Sequence, residues 1–214
     1  MIPVAFALLT LHSAYADFYV IPIKPKTAGP GCVAYYGLEY CEIVSATTGK
    51  IWLDRNLGSP KVCSAYNDTQ CYGDYYQWGR NADGHQKSDS ITSNTRLGSL
   101  GAKSDKFVIG YEDWTVSDGN GSLRSANWNP CPPGYRIPTI DELSGENVGD
   151  RDGAFSKLKL PAAGEREIIY GSLDRRGSYG FVWSASPTYR FVFYSSAYTA
   201  INYPTRGLSV RCLK

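Results

Sequence analysis

The hydrophobic pattern is clearest towards the C-terminus. Leu208, Val210 and Cys212 alternate with Ser209, Arg211 and Leu213, the period of a strand with one apolar side. The preceding segment, Tyr189–Arg206, is crowded with Tyr, Ser, Thr and Asn and shows little period. Its exception is Arg190–Tyr194, where Arg190, Val192 and Tyr194 share one face and Phe191 and Phe193 the other. The two phenylalanines are expected to face the core. Upstream, Cys32–Leu57 reads as two or three strands, with Thr47–Lys50 as the turn before the apolar run at Ile51. Tyr72, Tyr75 and Tyr76 fall at helical spacing, so Asp68–Trp78 is expected to be a short helix stopped by Gly79. The Ser-, Asp- and Gly-rich stretch 81–121 reads as loop, interrupted by KFVIGYEDW. After Pro138, Thr139 and Glu142 form a T-x-x-E capping box that starts a second short helix. Lys157–Leu160, Glu167–Tyr170 and Gly180–Trp183 read as strands. Many short strands, two short helices and long loops place the chain in the α+β class. No repeat and no dividing linker appears.

The N-terminal pattern is of another kind. An apolar run, Ile2–Leu11, precedes Ala14-Tyr15-Ala16, the small-x-small motif of a signal peptidase site. The run is too short to cross a bilayer. Residues 1–16 are therefore expected to be a secretory signal peptide, although no Lys or Arg precedes the run. Residues 17–45 read as lead-in strands, opening with the alternating FYVIPIKPK, and residues 46–214 as the main domain. No second long apolar run follows, so no membrane span is expected.

Composition narrows the partners. The chain has 214 residues, 43% hydrophobic and 20% charged, ordinary values for a globular protein. Its formal net charge is +2 with no basic run, so nucleic acid is not an expected partner. Tyr is heavily used, at 17 copies. Six cysteines, Cys32, Cys41, Cys63, Cys71, Cys131 and Cys212, follow the leader. An even count in an exported chain argues for disulfides. Spacing alone leaves the connectivity open. Joining near neighbours gives Cys32–Cys41 and Cys63–Cys71, and leaves Cys131 to reach Cys212. Without a C-x-x-C pair, and with His85 as the one histidine beyond the leader, zinc is not expected.

Catalytic signatures are sparse. His85, in the turn-like DGHQ, is the one candidate base for a nucleophile, and a lone loop histidine is more often structural. There is no G-x-S-x-G elbow, and TTGK lacks the first glycine of a phosphate-binding loop. Asp141, Glu142, Asp150 and Asp152 read as helix caps and solvated turns rather than as the facing pair of a glycosidase. Ser117–Ser122 places Asp118, Asn120 and Ser122 alternately, as in a calcium loop, but no bidentate Glu follows, and a Gly-rich turn is expected. Asn67 and Asn120 head N-glycosylation sequons. No cofactor is expected.

Six strings in order are more specific than any of these motifs: WLDRNLG (Trp52–Gly58), YGDYYQWGRNADGHQ (Tyr72–Gln86), NPCPPGYRIPT (Asn129–Thr139), LKLPAAG (Leu158–Gly164), GSYGFVWSAS (Gly177–Ser186) and GLSVRCLK (Gly207–Lys214). Together they resemble the Fibrobacter succinogenes major paralogous domain (FISUMP), in the branch that includes targets of diversity-generating retroelements. The resemblance runs from about Lys50 to Lys214. It implies a C-type-lectin-like fold, exported and displayed on the bacterial cell surface, that binds or adheres rather than catalyses. It also implies a variable region between the WS string at Trp183 and the closing strand, residues 183–206. Adenine-directed mutation of an Asn codon yields Tyr, Ser, Thr, Asp, Ile, Val, Ala, Phe, Pro or Arg, and the window holds most of these. The calcium ligands of sugar-binding lectins, E-P-N or Q-P-D followed by W-N-D, are not present, so the lectin label describes fold alone.

On this reading Thr188, Tyr189, Arg190, Val192, Tyr194, Tyr198, Asn202, Tyr203 and Thr205 supply a ligand-binding surface. Tyr gives a rigid amphipathic contact area at low entropy cost, and Ser and Asn add adaptable hydrogen bonds. The expected partner is a protein or glycan on a cell or phage surface. Two rivals stand beside it. One is an enzyme of the related formylglycine-generating fold, which needs a reactive cysteine pair in a cleft. The other is a structural envelope protein without a specific ligand.

Overall fold

The computed structural model describes residues 28–99, 101–116 and 128–214. The expected signal peptide, the opening of the lead-in and the Ser117–Ser122 loop with its Asn120 sequon lie outside the described residues. The chain folds as an α+β structure of short strands and two short helices. Strands β1 (Cys32–Tyr35) and β2 (Leu38–Val44) form a hairpin, and β3 (Ile51–Leu53) pairs with β2. The hairpin turns on Tyr36 and Gly37, both at positive φ (46° and 76°), as a two-residue primed turn requires. Next come β4 (Tyr76–Gln77) and the parallel pair β5 (Thr92–Ser93) and β6 (Phe107–Val108). The helices are α1 (Ile140–Gly145) and α2 (Arg151–Leu158). After them run β7 (Glu165–Arg166), β8 (Leu173–Asp174), β9 (Gly180–Trp183), β10 (Tyr189–Phe193), β11 (Ala197–Ile201) and β12 (Gly207–Leu208). The sheet orders are β1-β2-β3, β11-β10-β9, β4-β12-β7-β8 and β5-β6.

Local chemistry explains the helices. Thr139 accepts from the Glu142 N–H while the Glu142 carboxylate accepts from the Thr139 N–H, so the capping box read from the sequence starts α1. Asp150 caps α2 by accepting from the Gly153 N–H, and Lys159 ends it at φ 54°. A Cβ at position 153 would collide with the Val148 carbonyl, so only glycine lets this first turn pack so closely. Residues 157 and 158 therefore belong to a helix, not to the strand expected at Lys157–Leu160.

The helix expected at Asp68–Trp78 is a single 3-10 turn, Thr69–Cys71, followed by extended chain into β4. Two constraints override the helical spacing. Cys71 is bonded to Cys63, and Gly73 sits at φ 78° with its backbone pressed on the Leu57 carbonyl. The tyrosines then part: Tyr72 packs with the Cys63–Cys71 pair and Ala163, and Tyr76 enters the main core. The strand expected at Glu167–Tyr170 is also shorter. It stops at Arg166, and the Glu167 carboxylate then gathers the N–H groups of Ile169, Tyr170 and Ser172 into a turn.

The β11-β10-β9 sheet separates two apolar clusters. Phe181, Trp183 and Val192 face one, with Trp78 and Trp114; Val182, Phe191 and Phe193 face the other, with Leu143 and Leu158 of the helices. All five tryptophans are buried, and each indole N–H has an acceptor: Glu146 for Trp52, and backbone carbonyls for Trp78, Trp114, Trp128 and Trp183.

The closing segment is not the half-exposed strand its alternation suggests. Residues 207–213 are buried on both sides, including Ser209 and Arg211. Gly207 pairs with both β4 and β7, the Trp183 N–H donates to the Ser209 carbonyl, and the Leu57 and Leu53 N–H groups donate to the carbonyls of Val210 and Cys212. Arg211 points into the protein, where its guanidinium donates to the carbonyls of Leu53, Leu158 and Lys159 and to Asn56 Oδ1. It thus caps the C-terminal carbonyls of α2, which a helix cannot satisfy itself.

The cysteines form Cys32–Cys41, Cys63–Cys71 and Cys131–Cys212, the near-neighbour pairing and its remainder, and none is free. Three disulfides suit an oxidising, non-cytoplasmic compartment. Among the described residues no helix is long and apolar enough to cross a membrane.

Candidate functional site

The window from Trp183 to Arg206 folds into the β10–β11 hairpin and its flanks, with β11 as the outer strand of its sheet. In the antiparallel register Arg190 lies opposite Ala200, and Val192 opposite Tyr198. On the other edge of β10, Arg190 lies opposite Trp183, and Val192 opposite Phe181. One face of the sheet therefore carries Phe181, Trp183, Arg190, Val192, Tyr198 and Ala200.

The structure divides the nine expected site residues. Tyr189, Tyr198 and Tyr203 are exposed, at 39%, 44% and 43%. Thr188, Arg190 and Tyr194 are half-buried. Val192, Asn202 and Thr205 are buried and present nothing to a ligand. For Val192 the reason is that both faces of β10 meet apolar clusters, so the expectation that its side lies in solvent fails in mid-strand. Asn202 and Thr205 sit where the chain turns inward: the Asn202 N–H donates to the Thr188 carbonyl, and the Thr205 carbonyl accepts from the buried Gln77 amide.

What remains is organised around rings. Tyr179 stacks on Phe181 (5.8 Å, 10°) and on Tyr194 (4.5 Å, 19°), and Tyr194 meets Tyr198 edge-on at 6.1 Å. The series passes from a buried phenylalanine to an exposed tyrosine. Arginines flank it: Arg190 lies 4.7 Å over Phe181 and Arg175 5.4 Å over Tyr179. Both turn toward Glu165, which is 1% exposed and pairs with Arg206 at 2.9 Å, Arg190 at 3.2 Å and Arg175 at 3.8 Å. Burial pushes the Arg190 guanidinium down from its ordinary range, and Glu165 opposes that shift. Arg175 also reaches Asp174, at 3.4 Å. One buried and one exposed carboxylate thus serve three guanidinium groups, leaving Arg175 half exposed at the rim.

A second exposed group, Tyr189, Ile201 and Tyr203, lies at the opposite end of the hairpin. There the Tyr203 hydroxyl is pushed up by its hydrogen bond to Glu112. Sequence reasoning missed Tyr179, Arg175, Arg206 and Glu165. Tyr179 had a signal, since it precedes Phe181 at strand spacing; the other three are joined only through the fold.

His85, the one candidate base, is fully buried. Its Nδ1 lies 2.5 Å from the Asp83 carboxylate, and its Nε2 accepts from the Gln77 N–H at 3.1 Å. Both ring nitrogens are therefore occupied by the fold, and the acceptor role of Nε2 requires the neutral ring. Burial is the main cause that lowers its pKa to about 4, with Asp83 opposing. The unfolded ring takes up a proton near pH 6.5 and the folded ring does not. Stability from this group is thus complete above about pH 6.5 and lost as pH falls toward about 4, on the order of 3 kcal/mol in all. Urea midpoints measured between pH 7 and 5, above the carboxylate range, are expected to fall steadily, and His85→Gln to flatten that limb.

No family model, curated protein or solved structure matches the chain.

Proposed function

We propose that the protein is an exported binding protein of C-type-lectin-like architecture that presents the tyrosine–arginine surface beside the β10–β11 hairpin to a ligand on a cell or phage surface. The observation that carries this reading is the graded stack Phe181–Tyr179–Tyr194–Tyr198, anchored in the core at one end and open at the other. Rigid aromatic side chains beside arginine are the groups that dominate interface energetics. Anchoring the stack on a sheet limits the entropy lost on contact.

The sequence resemblance supports diversification of the same window by a retroelement. The strand order fits that proposal, because β11 is an outer strand whose Tyr198, Thr199 and Ile201 are exposed and free to change. Phe191, Val192 and Phe193 are buried and must stay apolar. The enzyme reading needs a reactive cysteine pair, and all six cysteines are consumed in disulfides.

The purified protein and its Arg175→Ala/Tyr198→Ala variant should be compared on arrays of neutral, sialylated and sulfated glycans and on intact bacterial cells. Both side chains are about half exposed, and Glu165 keeps Arg190 and Arg206 as partners, so melting should shift by no more than about 1 kcal/mol per site. Binding is expected to fall at least about tenfold, which needs only ~1.4 kcal/mol. Unchanged binding by the variant, or no binding by either protein, would overturn the proposal.

A further inference from the structure

A cavity of about 300 Å³ lies where the β1–β2 hairpin overhangs the loops flanking β4, lined by none of the window residues 183–206. Its walls include Tyr35, Tyr36, Tyr40 and Tyr76, and its lining includes the Asp74–Lys87 pair. That size, and a lining of tyrosine rings and aliphatic side chains with Asp74, Gln86 and Lys87 as its charged or amide groups, match a small-molecule site.

The Asp74 carboxylate is held firmly. It is 6% exposed, its own N–H donates to the Leu57 carbonyl, and it lies so close over Gly58 (φ 79°) that a Cβ there would strike it. Among the described residues its hydrogen-bond donor is the Lys87 ammonium, at 2.9 and 3.0 Å from the two oxygens. The Lys87 side chain is itself 54% exposed, so it reaches in from solvent. Tyr40 is already a cation acceptor, with the Arg55 guanidinium 5.9 Å above its ring, and its hydroxyl is fixed by the Gly58 N–H.

Tyr36 adds an independent observation. It occupies the first turn position at φ 46°, a left-handed conformation that Asn, Asp or Gly fills at lower cost. Strain of this kind at a cavity-lining position calls for a functional account. It places the Tyr36 ring edge-on to Tyr35, 4.4 Å between centroids, at the mouth of the cavity.

We propose that this cleft binds a small organic ammonium ion, whose head replaces the Lys87 ammonium on Asp74 and whose apolar body lies among the tyrosine rings. A primary ammonium already shows that the seat fits. The Lys87 side chain is 54% exposed and returns to solvent once another cation covers the carboxylate, and tyrosine faces and a buried carboxylate both favour a desolvated cation. The proposal does not rest on the binding role of the C-terminal window.

The test titrates the whole protein with phenethylammonium chloride, using 2-phenylethanol as the uncharged control, by calorimetry or NMR. The ammonium should bind saturably and at least about tenfold more tightly than the alcohol. Lys87→Met should tighten it several-fold, because the competing ammonium is gone. Tyr36→Asn should weaken it several-fold while leaving melting unchanged or raised, since Asn suits the turn; this variant keeps the proposal testable should Asp74→Asn fail to fold. Equal binding of the alcohol, no saturable binding at millimolar concentration, or weaker binding by Lys87→Met would overturn the assignment.

Discussion

Arg211→Ala is expected to be among the most damaging single changes in this protein, at roughly 3–5 kcal/mol of unfolding free energy. The side chain is fully buried and joins three elements: β3 through Leu53, the end of α2 through Leu158 and Lys159, and the loop at Asn56. Its charge is not what stabilises it, because burial pushes the guanidinium down to about 9, with Asp54 only partly opposing. The forked donors are what matter. Truncation leaves buried acceptors unsatisfied at about 1–3 kcal/mol each, together with a cavity. Arg211→Lys should recover only part of the loss, since one ammonium cannot reach acceptors that a planar fork spans. Urea denaturation of the three proteins decides it; an alanine variant within 1 kcal/mol of the parent would sink the account.

Phe193→Ala is the second large effect. The ring is fully buried on the helix side of β10 and fills the space over Gly180 where a side chain would otherwise stand. Its removal should cost about 3–5 kcal/mol and lower the melting temperature on the order of 10 °C. Five residues along the chain, Tyr198→Ala should change stability by no more than about 0.5 kcal/mol, because its ring is exposed on the outer strand. Thermal melting of both variants is a direct test of which side chains the hairpin keeps and which it offers. Loss of the fold in Tyr198→Ala alone would reverse that assignment.

The contrast between these residues marks what the sequence could tell. Phe191 and Phe193 on the core side, the capping box at Thr139 and the first three strands were legible, because each depends on neighbours in the chain. The near-neighbour disulfides follow similarly: Cys32 and Cys41 face each other across a tight hairpin. The misread elements are those where a distant contact overrules the local pattern. Spacing pointed to a helix at Asp68–Trp78, but the Cys63 bond and the packing of Gly73 on Leu57 pull that segment straight. The apolar sequence around Leu158 reads as strand, yet Gly153 permits a helical turn that Arg211 then closes from far along the chain. The alternation at Leu208–Leu213 was real, but it could not reveal that both of its sides would be covered. Of the candidate site, Arg190 and the tyrosines of the hairpin could be named from the sequence; Glu165, Arg175 and Arg206 could not, since no local pattern joins residues 165, 175, 190 and 206.

The central position of the closing segment has a kinetic consequence. Arg211 and Leu53 lie 158 positions apart, and Cys212 must find Cys131 across 81. Chains dominated by such distant pairings fold in milliseconds to seconds rather than microseconds, because loop closure precedes any reward from contact. During synthesis the strand at Ile51–Leu53 can pair with β2 at once, but its other edge and Trp52 must wait for Cys212 and Leu213. The packing around β3 is therefore complete only after residue 213 has been made, and until then the uncovered apolar surface favours aggregation. A chain built in this way reaches its native packing only when residues 211–213 have joined the rest.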